Sequence, residues 1–262
     1  MPYADSSGTK IFWDQEGDGE PVLLIMGLGY SSDMWHRTRP VLSKHFRVIS
    51  FDNRGVGKSG APDGPYSMAQ MAADAGAVLD AAGVASAHVA GVSMGGMIAQ
   101  ELVLSCPGRV RKLVLGCTAC GGPRAVRAEP EANDVLLQRG GMTPEQAILA
   151  VIPYVYHPST PLERIDEDLE IRLRTFPTAA AYRAQLAAIL GWQSYDRLAH
   201  INAPTLVIHG EADRLVPPGN GRLVAEMISG ARFVLVPQAS HIFTTDQPAI
   251  AHKAILDFLL RG

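Results

Sequence analysis

Cysteine is scarce in this 262-residue chain, with thiols only at Cys106, Cys117 and Cys120. An odd, sparse set cannot build a disulfide framework and fits a reducing compartment. Cys117 and Cys120 form a C-x-x-C. Zinc would want a second pair of ligands, and a redox motif would want a helix start where Gly121-Gly122-Pro123 follows, so both are read as structural thiols. Long apolar runs are also missing: none approaches the roughly 18 residues of a membrane span. The opening stretch from Met1 to Gly8 has no basic region followed by an apolar one, so neither a membrane segment nor a signal peptide is expected, and the cytoplasm is the expected location. Neither sign of charge dominates. With 23 Lys and Arg against 26 Asp and Glu, and no block of like charge, nothing recommends nucleic acid or an anionic membrane as partner.

What the chain has is apolar residues, at 47%, and a rhythm. Thr9 to Glu16 alternates after a Ser6-Ser7-Gly8 turn, which predicts a hairpin with the segment before it. Pro21 to Met26, Arg47 to Phe51, Ala87 to Val92, Lys112 to Gly116, Pro204 to Gly210 and Arg232 to Val236 read as strands, the first of them a continuous apolar run as expected for a strand covered on both faces. Between them lie helical patterns: a short one capped by Ser31 or Ser32 and running to Leu42, then Ser67 to Ala82, Met94 to Ser105 and Gly219 to Ile228. A terminal helix carries Pro248 in its first turn, with Asp246 expected as its cap. The alternation predicts an α/β fold with a mostly parallel, doubly wound sheet. After Cys117 four helical patterns pass without a strand: Glu131 to Arg139, Thr143 to Val155, Pro161 to Thr175 and Thr178 to Leu190. Residues 118–195 are therefore expected to form a helical cap inserted after the sixth strand, with 1–117 and 196–262 forming the core. The largely apolar run from Thr143 to Tyr156 suits a cap wall or the cap's own interior.

The chain is organised around Gly91-Val92-Ser93-Met94-Gly95, where an apolar strand breaks at a serine and resumes as a helix. A serine at such a corner takes a cramped backbone conformation, so the residues two before and two after it must be small. The helix starting at Met94 aims its free N–H groups at the place where an oxyanion forms during acyl transfer. A bare G-x-S-x-G also occurs in ordinary strand-helix turns. The other strand exits add weight, because parallel sheets collect functional groups at the carboxyl ends of their strands. Asp213 leaves one strand in Gly210-Glu211-Ala212-Asp213, and His241 leaves the last in Ser240-His241. A serine needs a base to take its proton, and the base needs a carboxylate to hold its tautomer and steady its charge. Asp52 is the rival acid. Of the eight histidines only His241 follows the last strand; His88 and His209 lie in or at strands and read as packing residues.

Together with the loop Asp52-Asn53-Arg54-Gly55-Val56-Gly57-Lys58-Ser59, these marks resemble the α/β-hydrolase superfamily, from about Pro21 to Leu260. The resemblance points to its small-capped group of 3-oxoadipate enol-lactonases, carboxylesterases and cofactor-free perhydrolases. It implies an oxyanion hole built from the backbone N–H groups of Leu28 and Met94, and no cofactor or metal. Relatives commonly carry His-Gly where this chain has Met26-Gly27, which changes the polarity beside the site. Two phosphate-binding patterns fail. Gly55 to Gly60 matches G-x-G-x-x-G, but Ala61-Pro62 follows and supplies no helix N-terminus; a P-loop would need glycine where Asp52 stands.

The expected function is hydrolysis of a carboxylic ester or lactone of a small, mostly apolar substrate through an acyl-serine intermediate. Cleavage of an activated C–C bond or perhydrolysis on the same groups is the enzymatic alternative, and a small-molecule receptor of the same fold is the non-enzymatic one. A carboxylate on a buried substrate would need a cation beside it. Arg124 and Arg127, at the start of the insertion near the cap's entry, are the candidates for that cation, though as loop residues they read first as solvated; Arg139, Arg164, Arg172, Arg174 and Arg183 sit on helical patterns whose polar faces can point at water, so neutral substrates are expected.

Overall fold

The computed structural model describes residues 2–261. The Ser7-Gly8 turn, with φ of 50° and 82°, folds β1 (Tyr3–Ser6) back on β2 (Thr9–Glu16). β3 (Glu20–Ile25), β4 (Phe46–Phe51), β5 (Ala87–Val92), β6 (Val110–Gly116), β7 (Thr205–Gly210) and β8 (Arg232–Val236) complete one sheet, ordered β1-β2-β4-β3-β5-β6-β7-β8. The first two strands are an antiparallel edge; every pairing from β4 to β8 is parallel.

Residues alternate across the strands, which divides the core into two layers. Leu23, Ile25, Val89, Leu115 and Val207 pack on one face under α2 (Met68–Ala81), α3 (Met94–Ser105) and α8 (Gly219–Met227). Val22, Leu24, Ala90, Val114 and Ile208 pack on the other under α1 (Arg39–Leu42) and α10 (Pro248–Leu260). Apolar runs in the central strands are thus explained by helices on both sides.

Between β6 and β7 lie α4 (Pro130–Gln138), α5 (Pro144–Val155), α6 (Leu162–Arg174) and α7 (Ala179–Leu190). Their starts follow from capping chemistry: Thr143 and Gln146 form a reciprocal capping box, and Thr178 accepts from the N–H of Ala181. Ala132, Val151, Val155, Tyr156 and Ile165 form a small cluster that takes in Leu215 beyond β7. Both ends of this segment are tied to α3. Thr118 donates to the carbonyl of Ser93, while the Ser194 hydroxyl donates to Gln100 Oε1 at 2.7 Å and Trp192 Nε1 to Glu101 Oε2 at 2.8 Å.

Two local expectations are corrected. The single helix from Ser31 or Ser32 to Leu42 is instead a 3-10 turn, Ser32–Trp35, followed by α1. Ser32 does not cap; its N–H and hydroxyl both donate to Asp52 Oδ1, at 2.7 and 2.8 Å, which ties the turn to the next strand's exit. Asp246 does not cap α10 either. It ends the short α9 (Phe243–Asp246), Gln247 stands at the N-cap of α10, and the Asp246 carboxylate accepts from the Ser240 N–H and the Thr160 hydroxyl, each at 2.6 Å. A buried carboxylate goes to the strongest donors within reach, and those hold the β8 exit loop.

The chain passes from β3 out to β4 and then back across to β5, so the winding direction reverses between β3 and β5. At such a switch point the exit loops part and leave a crevice at the carboxyl ends of the strands. No helix among the described residues is long and apolar enough to cross a membrane.

Candidate active site

Ser93 leaves β5 with φ 55° and ψ −123°, a conformation that costs a non-glycine residue roughly 1–3 kcal/mol. The strain is held from both sides: the Ser93 N–H donates to the Gly116 carbonyl at 2.8 Å, and its carbonyl accepts from Thr118 Oγ1 at 2.7 Å and from the Gly96 N–H at 2.9 Å. The flanking glycines are required by contact. A Cβ on Gly91 would meet the Gly95 carbonyl oxygen, and one on Gly95 would meet that of Ile25. The β3 exit loop abuts the serine, since a Cβ on Gly27 would lie 3.1 Å from Ser93 Cβ.

His241 Nδ1 lies 2.7 Å from Asp213 Oδ2. Asp213 Oδ1 accepts from the N–H groups of Leu215 and Val216, both at 2.9 Å, so its orientation is fixed independently of the histidine. Burial by itself would raise the Asp213 carboxyl; the His241 charge and hydrogen bonds from His209 and His241 outweigh it and hold it well below the usual carboxylate range. Ser93 and His241 line the same cavity, and no hydrogen bond joins the Ser93 hydroxyl to the imidazole in this structure. Such contacts commonly tighten only around substrate. The rival acid is used elsewhere: Asp52 accepts from Ser32 and from the Lys58 N–H, and it does not line the cavity.

His209 stands beside this pair, where sequence reading had it as packing. Its Nε2 is 2.7 Å from the Val216 carbonyl and 3.4 Å from Asp213 Oδ2, which fixes the proton on Nε2. Cys117, His209 and Asp213 form a buried cluster of metal-ligating types. The donor set is already spent: burial and the Asp213 charge push the Cys117 thiol up, and His209 Nε2 donates to a carbonyl.

Leu28 and Met94 also line the cavity, and among the described residues the Leu28 N–H has no acceptor. Gln185, buried in α7, holds that loop: Gly29 N–H donates to its Oε1 at 2.9 Å, and its Nε2 donates to the Arg54 carbonyl at 2.8 Å. Sequence reading missed Gln185. The available signal was an amide within the buried stripe Tyr182, Gln185, Leu186, Ile189.

The cavity, about 700 Å³, is walled by Met26, Met34, Trp35, Met97, Leu186 and Ile189. Of the apolar run in α5 only Val151 reaches it. Arg124 is exposed and lies over the Tyr195 ring, Arg127 is exposed at the cavity edge, and Arg139 is a buried lining residue, contrary to the expectation that it faces water.

Residues 20–248 match the family model described as alpha/beta hydrolase fold. The chain is 33% identical over 261 residues, covering 98% of both chains, to the protein named "Putative carbamate hydrolase RutD" from Azorhizobium caulinodans. It superposes on the enol-lactonase from Burkholderia xenovorans with a TM-score of 0.89, 29% identity and coverage of 99% of this chain and 100% of that one. It superposes on a thermophilic esterase from Thermogutta terrifontis with a TM-score of 0.85, 28% identity and coverage of 98% and 97%. The sheet order, the strained serine at the switch point and these matches lead to one conclusion: the chain belongs to the alpha/beta hydrolase fold family.

Proposed function

We propose that this hydrolase cleaves a carboxylic ester or lactone of a small, largely apolar substrate by acyl transfer to Ser93. The observation that carries the reading is the strained Ser93 opening into a cavity whose wall also holds His241, itself hydrogen-bonded to Asp213. In this reading His241 Nε2 takes the Ser93 proton as Oγ attacks the carbonyl carbon, and Asp213 steadies the imidazolium. The N–H groups of Leu28 and Met94 receive the oxyanion, a contribution that elsewhere is worth about 10²–10³ in rate per donor. Collapse of the tetrahedral intermediate, with the proton passing from His241 to the leaving alkoxide, leaves acyl-Ser93. Water activated by the same imidazole then releases the acid. Residues 118–195 act as a cap that excludes bulk water from these steps.

The test is turnover of 4-nitrophenyl acetate and butyrate, a lactone and a carbamate, the last because relatives bear that name. A fluorophosphonate should add one covalent adduct, located at Ser93 by mass spectrometry. Steady multiple turnover, lost with Ser93→Ala, is the expected result and excludes an idle receptor. Undiminished turnover by pure Ser93→Ala protein overturns the assignment.

A further inference from the structure

The cavity wall contains a cation with no counter-charge. Arg139 is 4% exposed, follows α4 and lines the cavity, and among the described residues its guanidinium makes no ion pair and its Nε no hydrogen bond. Its one close partner is the face of Tyr182, with Cζ 5.2 Å from the ring centre. An arginine cannot shed its charge, and an aromatic face recovers only part of what burial costs. Arg54, 1% exposed, differs: it donates to both oxygens of Asp74 at 2.6 Å.

Arg127 also lines the cavity, and no Asp or Glu does. Arg172 is a second buried arginine without an ion pair, over Tyr30 at 4.9 Å, but it lies outside the cavity and beside the Tyr156 hydroxyl, which donates to Asp168. The inference therefore rests on Arg139. Its position relative to the chemistry is set by Tyr182, whose ring would lie 3.3 Å from a Cβ on Gly29, the residue after Leu28. One small molecule within the cavity can touch both the Leu28 loop and Arg139.

We propose that Arg139 reads a carboxylate on the substrate, so that the preferred ester or lactone carries one free carboxylate. The planar fork of a guanidinium matches a carboxylate with two parallel N–H···O bonds, and one buried positive charge balances one negative charge. This deepens the proposed hydrolysis and rests on it for the reacting groups. It replaces the preference for neutral substrates expected from sequence, because the cation is on a residue assigned there to solvent.

The experiment compares two 4-nitrophenyl esters of equal acyl length, one ending in a carboxylate and one in a methyl group. The wild-type protein should prefer the carboxylate ester. In Arg139→Met the ratio of kcat/KM, anionic over neutral, should fall about 30-fold, while Arg124→Met leaves the ratio unchanged. Arg139→Lys, which keeps the charge but loses the fork, should fall between them, and it serves if the methionine variant does not fold. Binding is read separately by calorimetry with glutarate on Ser93→Ala and on Ser93→Ala with Arg139→Met. Glutarate binding that vanishes with Arg139 supports the carboxylate site even if no ester is turned over, in which case only the hydrolytic reading fails. Ester turnover with a ratio indifferent to both Arg139 variants overturns the carboxylate site and leaves the hydrolytic reading in place.

Discussion

Asp213 presents Oδ2 to His241 Nδ1 at 2.7 Å while its Oδ1 is fully engaged by the N–H groups of Leu215 and Val216. Those two N–H groups have a consequence for Asp213→Asn. They demand an oxygen on their side, so the new amide NH₂ must face His241. An imidazole meeting a donor there is driven to the tautomer with its proton on Nε2, which cannot accept from Ser93. kcat of the folded protein should fall by about 10³–10⁴. Asp52→Asn should behave oppositely, because Asp52 receives Ser32 on one oxygen and the Lys58 N–H on the other. It should lose roughly 1–3 kcal/mol of stability and keep kcat within a few-fold in the folded fraction. Denaturant titration beside steady-state kinetics separates the two; a larger kcat loss in Asp52→Asn reverses the acids.

Ser93→Gly and Ser93→Ala both remove the hydroxyl, but φ 55° with ψ −123° is glycine's territory. Relief of strain should exceed the added chain entropy of glycine, so Ser93→Gly melts about 2–4 °C above Ser93→Ala. Gly95→Ala goes the other way, since its Cβ is driven into the Ile25 and Met26 carbonyl oxygens, and roughly 3 kcal/mol or more should be lost. Calorimetry on the purified variants decides; an alanine variant that melts above the glycine one refutes the strain at Ser93.

Gln185→Leu strands two buried backbone groups at once, the Gly29 N–H and the Arg54 carbonyl. The loop carrying the Leu28 N–H then loses its tether to α7. A loss of about 1–3 kcal/mol in stability is expected, with kcat reduced about tenfold and a smaller change in KM. Equal kcat at saturation in the variant would show that the tether does not position the loop.

Acid should destabilise the fold through His252 as pH falls below about 6.5. Burial, helped by the Arg37 charge, lowers His252 from 6.5 to about 4, and its Nε2 is tied to Thr38 Oγ1 at 3.1 Å. Between those values the unfolded chain binds a proton that the folded chain refuses, so stability falls as pH falls from about 6.5 and the loss saturates below about 4. The total is about 3 kcal/mol. His36 and His88 are lowered as well, chiefly by burial, and act in the same direction. Asp213 adds its own loss at lower pH, since a depressed carboxyl gives up its stabilisation as pH falls below its unfolded value. Unfolding free energies measured from pH 7 to 4 should show a shallower slope in His252→Gln; an identical slope removes His252 from the account.

The sequence by itself determined the architecture. Apolar runs and caps placed every strand and nearly every helix, because those signals are local: the burial of a residue is written in the period of its neighbours. It also singled out Ser93, Asp213 and His241, since a parallel sheet sends each strand's exit loop to the same edge. Tertiary structure alone decided which polar groups meet across elements. Asp246 serves Ser240 and Thr160 rather than α10, Gln185 reaches back to Gly29 across 156 residues, and His209 stands against Asp213. Arginines show the difference most plainly. Arg124, next to the strand exit in sequence, is exposed, while Arg139, at the end of an amphipathic helix, is buried on Tyr182 in the cavity wall. A helical pattern tells which face is apolar; what that face packs against, and which side chain at its end is carried inward, depends on how the turn after α4 meets α7, where Arg183 donates to the Gly140 carbonyl, and that geometry is not local to either segment.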